Sequence, residues 1–77
     1  MTDKEILREA LKESGKIQAD VAKELGVNRA TVSTNLRRDK MGLDIFLTYA
    51  NVLGYTVMVG KKENGKFVPK WELEKEE

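Results

Sequence analysis

The side chains best suited to specific chemistry lie close together between residues 28 and 37. Arginine can donate two parallel hydrogen bonds to guanine, asparagine can pair with adenine or a phosphate, and alanine and threonine methyl groups can contact the thymine methyl. On one face of a helix, such residues could read the base edges of double-stranded DNA. The residues expected to do so are Asn28, Arg29, Ala30, Ser33, Thr34 and Arg37.

Two short helices joined by a turn are predicted to position these side chains, between residues 18 and 37. Apolar residues recur at helical spacing on both sides of Gly26, namely Val21, Ala22, Leu25, Val32 and Leu36. Gly26 can adopt the positive φ that ends a helix, and Asn28 is a good N-cap for the next one. We expect Ala22 to be small because the two helices must cross closely there.

A helix is predicted on each side of this pair. Thr2 and Glu5 form a capping-box pattern before an apolar stripe that ends at Ser14-Gly15. Gly42 and Gly54 bracket the other helix, in which Phe46 is expected to lie in the core. The stripe of the first helix is Ile6, Leu7, Ala10 and Leu11, and that of the fourth is Leu43, Phe46, Leu47, Ala50 and Leu53.

After Gly54 the pattern becomes extended, and Asn64-Gly65 between two β-rich runs predicts a hairpin with a type I′ turn. A simple register pairs Met58 with Trp71 and scatters apolar side chains over both faces. One extra residue near Pro69, a β-bulge, instead pairs Val57 and Val59 with Leu73 and Trp71 and gives one apolar face. We favour the bulged register.

Three roles remain open for this hairpin. Val57, Val59, Trp71 and Leu73 could pack on the helices, or they could form a dimer interface through a sheet shared by two subunits. Alternatively, the hairpin could act as a wing whose lysines contact the DNA backbone, namely Lys61, Lys62 and Lys66. The last residues, ELEKEE, are expected to form a solvated, frayed tail.

Positive charge is concentrated on the helix pair, although the whole chain has a net charge of only +1. Residues 16–41 contain six basic and three acidic side chains. Lys16, Arg38 and Lys40 are therefore expected to contact DNA phosphates. Helix-dipole stabilisation could explain part of the basic cluster after the third helix.

Composition limits the other functions. Seventy-seven residues form one domain, with a bundle over residues 1–54 and the hairpin and tail over residues 55–77, and pairing with a second copy would add stability. No apolar run is long enough for a signal peptide or a membrane span, so a cytoplasmic location is expected. The chain has no His or Cys, and we expect no catalytic site, metal or cofactor.

The spacing of Gln18, Val21, Ala22, Leu25, Gly26, Val27 and Val32 resembles the helix-turn-helix of lambda-repressor-like (Cro and XRE-type) regulators. The resemblance covers roughly residues 2 to 54 and implies a mainly α, four- to five-helix bundle, here with a C-terminal β-hairpin. It also implies that Gln18 contacts DNA. Ile17 departs from the usual Ser or Thr cap, and Asn35 replaces an apolar residue, whose role Leu36 could assume.

The expected function is therefore sequence-specific binding of double-stranded DNA by a bacterial or phage-encoded transcriptional regulator. A repressor that acts as a homodimer on a pseudo-palindromic operator is favoured, and activation stays open. The alternative is an antitoxin-like protein whose hairpin neutralises a partner protein and whose helices bind DNA for autoregulation.

Overall fold

Four helices and one antiparallel hairpin make up residues 1–75, the part of the chain that this computed structural model describes. The predicted mainly helical bundle with a C-terminal hairpin is confirmed, while a lambda-repressor type of arrangement is not. The elements are α1 Asp3–Ser14, α2 Gln18–Leu25, α3 Arg29–Leu36, α4 Leu43–Val52, β1 Val57–Glu63 and β2 Lys66–Leu73.

Local sequence signals set the helix ends as predicted. The Thr2 side chain accepts a hydrogen bond from the Glu5 amide at 3.2 Å and caps α1. Gly26 ends α2 with a φ of 71°, a left-handed conformation that costs other residues more. At the start of α2, where Ile17 offers no capping side chain, the Asp20 carboxylate accepts from the Ile17 amide at 3.0 Å. Asp20 thus supplies part of the missing cap.

The core lies between the four helices. Leu7, Val21 and Val32 are its most deeply buried large side chains, and each exposes 1% or less of its surface. Ala22 is 4% exposed, which agrees with the expectation that a small residue is needed where α2 meets its neighbours. Leu36 packs against this core, as expected from the polar residue at position 35.

The predicted apolar stripes were wrong at several positions. Ile6 is 41% exposed and Leu43 is 57% exposed, whereas Phe46 is half-buried and packs against the core. Tyr49, which the predicted stripe left out, is 2% exposed. Its hydroxyl accepts a hydrogen bond from the Asn35 side-chain amide at 2.9 Å. Both polar groups therefore have a hydrogen-bond partner beside the core.

The hairpin has the bulged register, and the simple register is wrong. Val57 pairs with Leu73 and Val59 with Trp71, and the register then shifts so that Gly60 pairs with Pro69. The bulge leaves one extra residue in β2. Asn64 and Gly65 have φ of 50° and 78°, as a type I′ turn requires.

The hairpin contacts the helices mainly at its base. Val57 packs against the core, whereas Val59 and Trp71 are 48% and 67% exposed, so packing on the helices is wrong for these two residues. Leu73 is half-buried. The molecule is 44 Å in its longest dimension.

The prediction of a frayed tail from Glu72 onward is wrong for Glu72 and Leu73, because β2 extends to Leu73. The Lys75 ammonium donates to the Thr48 hydroxyl of α4 at 2.8 Å. Residues 76 and 77 of the predicted tail lie outside the described residues.

Candidate nucleic-acid interface

The turn between α2 and α3 is fixed by backbone and side-chain hydrogen bonds. The Val27 amide donates to the Ala22 carbonyl at 3.0 Å, directly after the left-handed Gly26. Asn28 then caps α3 because its Oδ1 accepts from the Thr31 amide at 2.8 Å. Val32 is fully buried and anchors α3 to the core, which leaves the opposite face of the helix toward solvent.

The predicted base-reading residues lie on this outer face or at its two ends. Residues 30, 33, 34 and 37 are neighbours at helical spacing. Ser33 is half-buried and the others are exposed, so the structure brings the set together on one accessible surface. The exposed members are Asn28, Arg29, Ala30, Thr34 and Arg37.

Two of these side chains already make hydrogen bonds within the protein. Besides the Thr31 amide, Asn28 Oδ1 accepts from the Thr31 hydroxyl at 3.0 Å. Bidentate pairing with adenine needs that oxygen, so Nδ2 is the group that Asn28 can offer to DNA while the cap is intact. Arg37 Nε donates to the Ser33 carbonyl at 3.2 Å, which leaves the terminal guanidinium nitrogens for other acceptors.

Lys16 is held by the protein itself. Its ammonium contacts the two Glu24 carboxylate oxygens at 3.0 and 3.1 Å and donates to the Val52 carbonyl at 3.0 Å. These bonds connect the start of α2 with its last turn and with the end of α4. A phosphate contact by Lys16 would have to compete with all of them.

The other predicted phosphate contacts lie at two ends of the helix pair. Gln18 is half-buried in the first turn of α2, near amides that carry partial positive charge. Arg38 and Lys40 are exposed in the loop after α3. Between them, Asp39 lies 3.5 Å from Lys4 but is 99% exposed, so this ion pair contributes little.

The contact between Asn35 and Tyr49 is a feature that the sequence did not reveal. It joins the inner side of α3 to α4 across 14 positions of sequence. The two residues position α3, because the hydrogen bond restricts how the helix can rotate or slide on α4.

Within residues 1–75, no three Asp or Glu side chains come together in a group that could hold a metal ion. In the part of the chain that the structure describes, no helix is both long enough and apolar enough to cross a membrane. The three lysines proposed for a DNA-binding wing are exposed at or near the hairpin turn, and that role stays a prediction.

Residues 1–38 match the family model described as "Bacterial regulatory protein, Fis family". The matched range contains α1, α2 and α3 and ends before α4. No curated protein and no solved structure matches the chain. The family match supports a helix-turn-helix DNA-binding transcription regulator, but it does not support the Cro and XRE-type family specifically.

Proposed function

We propose that this chain is a sequence-specific transcriptional repressor of the lambda-repressor-like kind, which binds double-stranded DNA as a homodimer. The observation that carries the proposal is the outer face of α3. This eight-residue helix is anchored by Val32 and exposes short polar and basic side chains on its other side. The spacing of residues 18–32 supports the lambda-repressor-like assignment.

In the proposed complex, α3 lies in the major groove. Arg29, Ala30 and Thr34 contact base edges, with Ser33 allowing close approach. Arg37 contributes its terminal guanidinium nitrogens, and Asn28 contributes Nδ2 while its oxygen caps the helix.

Phosphate contacts by Gln18, Arg38 and Lys40 fix the register of the helix on the duplex. Arg38 and Lys40 are exposed and follow α3 directly, where a DNA strand would pass. Lys16 is the weakest member of the predicted set because it already bonds to Glu24 and to the Val52 carbonyl.

Dimerisation is proposed to use the hairpin face that carries Val57, Val59, Trp71 and Leu73. The register places these four side chains on one side of the two strands, and Val59 and Trp71 are the more exposed pair. A two-fold dimer would present its recognition helices about 34 Å apart, in successive major grooves. Repression would follow because the bound dimer occludes polymerase.

The same exposed hairpin face favours a second candidate, an antitoxin-like protein that neutralises a partner. Exposed apolar surface of this kind marks interaction sites without specifying whether the partner is identical. A homodimer at micromolar concentration favours the repressor. A monomer that forms a tight complex with the product of a neighbouring gene favours the antitoxin.

The DNA-binding proposal is tested by two arginine variants with different expected effects. Arg29→Ala should weaken binding to the preferred site by about 1–3 kcal/mol and relax base preference. Arg38→Ala should weaken binding to all DNA sequences alike. It should also make the affinity less dependent on salt concentration, by the equivalent of about one phosphate contact. Arg8→Ala makes the same charge change on the exposed surface of α1 and serves as control. Equal loss of specific and random binding in Arg29→Ala would contradict base reading.

A further inference from the structure

An apolar cleft of about 450 Å³ lies between α1, α4 and the start of β1. Its floor contains the buried residues Leu7, Ala10 and Ala50, and its walls include Ile6, Phe46 and Met58. None of its lining residues belongs to α2 or α3, so the cleft is separate from the proposed DNA-binding face. Its volume is typical of a small-molecule site.

The charged side chains that line this cleft among the described residues are both acidic, and Met1 also belongs to its lining. Glu9 and Glu13 contribute carboxylates from successive turns of α1, and no lysine or arginine of residues 1–75 lines the cleft. Tyr55, on the opposite wall, donates its hydroxyl to Glu13. That hydrogen bond raises the pKa of Tyr55 and fixes the Glu13 carboxylate at the cleft.

We infer that the cleft binds a small amphiphilic cation, with an apolar body against Ile6, Phe46 and Met58 and a protonated amine beside Glu9 and Glu13. Charge complementarity selects this ligand class. Two carboxylates beside an apolar surface repel an anion, whereas they can accept hydrogen bonds from a protonated amine. The inference does not rest on DNA binding. A chain that bound no DNA could still bind the amine.

The ligand would contact both the helical bundle and the hairpin. Ile6 belongs to α1 and Phe46 to α4, whereas Val57 and Met58 begin the hairpin. A bound molecule that contacts all three elements stabilises their native arrangement through its preference for the folded state. The hairpin orientation would then depend on ligand concentration.

The test uses three probes with the same phenylbutyl body: 4-phenylbutylamine, 4-phenylbutanol and 5-phenylpentanoate. Each is titrated into the full chain, and backbone amide resonances of Ala10, Ala50 and Val57 are followed by NMR. We expect saturable shifts centred on the cleft, with the amine binding about tenfold more tightly than the carboxylate and the alcohol between them.

Two variants that each remove one negative charge test where the amine binds. Glu9→Gln and Glu13→Gln should each weaken amine binding several-fold and leave alcohol binding unchanged, while Glu63→Gln near the hairpin turn should change neither. Equal affinity for the three probes, or no saturable shift with the amine, would overturn the inference. It would also be overturned if cleft resonances broadened with protein concentration in the absence of probe, because a second copy would then cover the site.

Discussion

Asn28 has two roles that use different atoms of one amide. Its oxygen caps α3 through the Thr31 amide and hydroxyl, while its nitrogen is the atom proposed to face DNA. The pattern of residues 28–37 predicted both roles separately. Only the structure shows that capping limits how the side chain can read a base.

Asn28→Asp should separate these roles. An aspartate caps a helix about as well as asparagine and its charge favours the helix N-terminus, so the free energy of unfolding should change by less than about 1 kcal/mol. DNA affinity should fall because the carboxylate repels phosphate and loses the amide donor. Urea unfolding and DNA titration measure the two effects. Asn51→Asp, an exposed change in α4, is the control, and an equal loss of affinity in both variants would argue against a DNA contact by Asn28.

The polar groups of Asn35 and Tyr49 are expected to stabilise the fold only when both are present to form their hydrogen bond. Tyr49→Phe removes the acceptor and leaves the partly buried Asn35 amide without it, which should cost about 1–3 kcal/mol in urea unfolding. The Asn35→Leu/Tyr49→Phe double variant should recover much of that loss because neither polar group remains. Tyr55→Phe, which removes an exposed hydroxyl, should cost less. Additive losses in the double variant would contradict the coupling.

Among the elements, those governed by neighbouring residues were predictable. The caps at Thr2 and Asn28 and the hairpin turn at Asn64-Gly65 follow from local conformational preferences. The β-bulge was predictable as well, because only that register places Val59 beside Trp71 on one apolar face.

Features that depend on distant partners could not be read from the same patterns. Periodicity gives the direction in which an apolar stripe of a helix faces but not its width. The sequence therefore predicted Leu43 in the core and left Tyr49 out of it, which is wrong for both. Lys16 was assigned to phosphate, although one of its partners, the Val52 carbonyl, lies 36 positions away. For the outer face of α3, the sequence predicted exposure, while base contacts remain a proposal.

Gly60 in β1 is expected to tolerate no side chain. A Cβ there would overlap the Val68 carbonyl and lie 2.6 Å from carbons of the Phe67 ring. Gly60→Ala should therefore destabilise the hairpin by about 1–3 kcal/mol, detected as faster amide hydrogen exchange in β1 and β2. Lys61→Ala changes the next position without adding a Cβ. Unchanged exchange in Gly60→Ala would show that the strands adjust without cost.

At the scale of the whole molecule, the hairpin is the element that most needs a partner. A two-stranded hairpin is marginal alone, and this one exposes 67% of Trp71 and 48% of Val59. Trp71→Ser should weaken the proposed dimer at least about tenfold in sedimentation equilibrium, because aromatic anchors dominate interface energies. Leu43→Ser changes another exposed apolar residue, outside the hairpin, and should have little effect. Equal dissociation constants for wild type and Trp71→Ser would exclude this interface.

In the proposed complex, two copies of the α3 face read one DNA site. Selection from a pool of random duplexes with the purified full chain tests this proposal most directly. We expect enrichment of an inverted repeat whose half-sites are centred about one helical turn apart. Failure to enrich any sequence, with only weak salt-sensitive binding, would contradict sequence-specific reading by α3, and enrichment of a single unrepeated half-site would contradict the dimer.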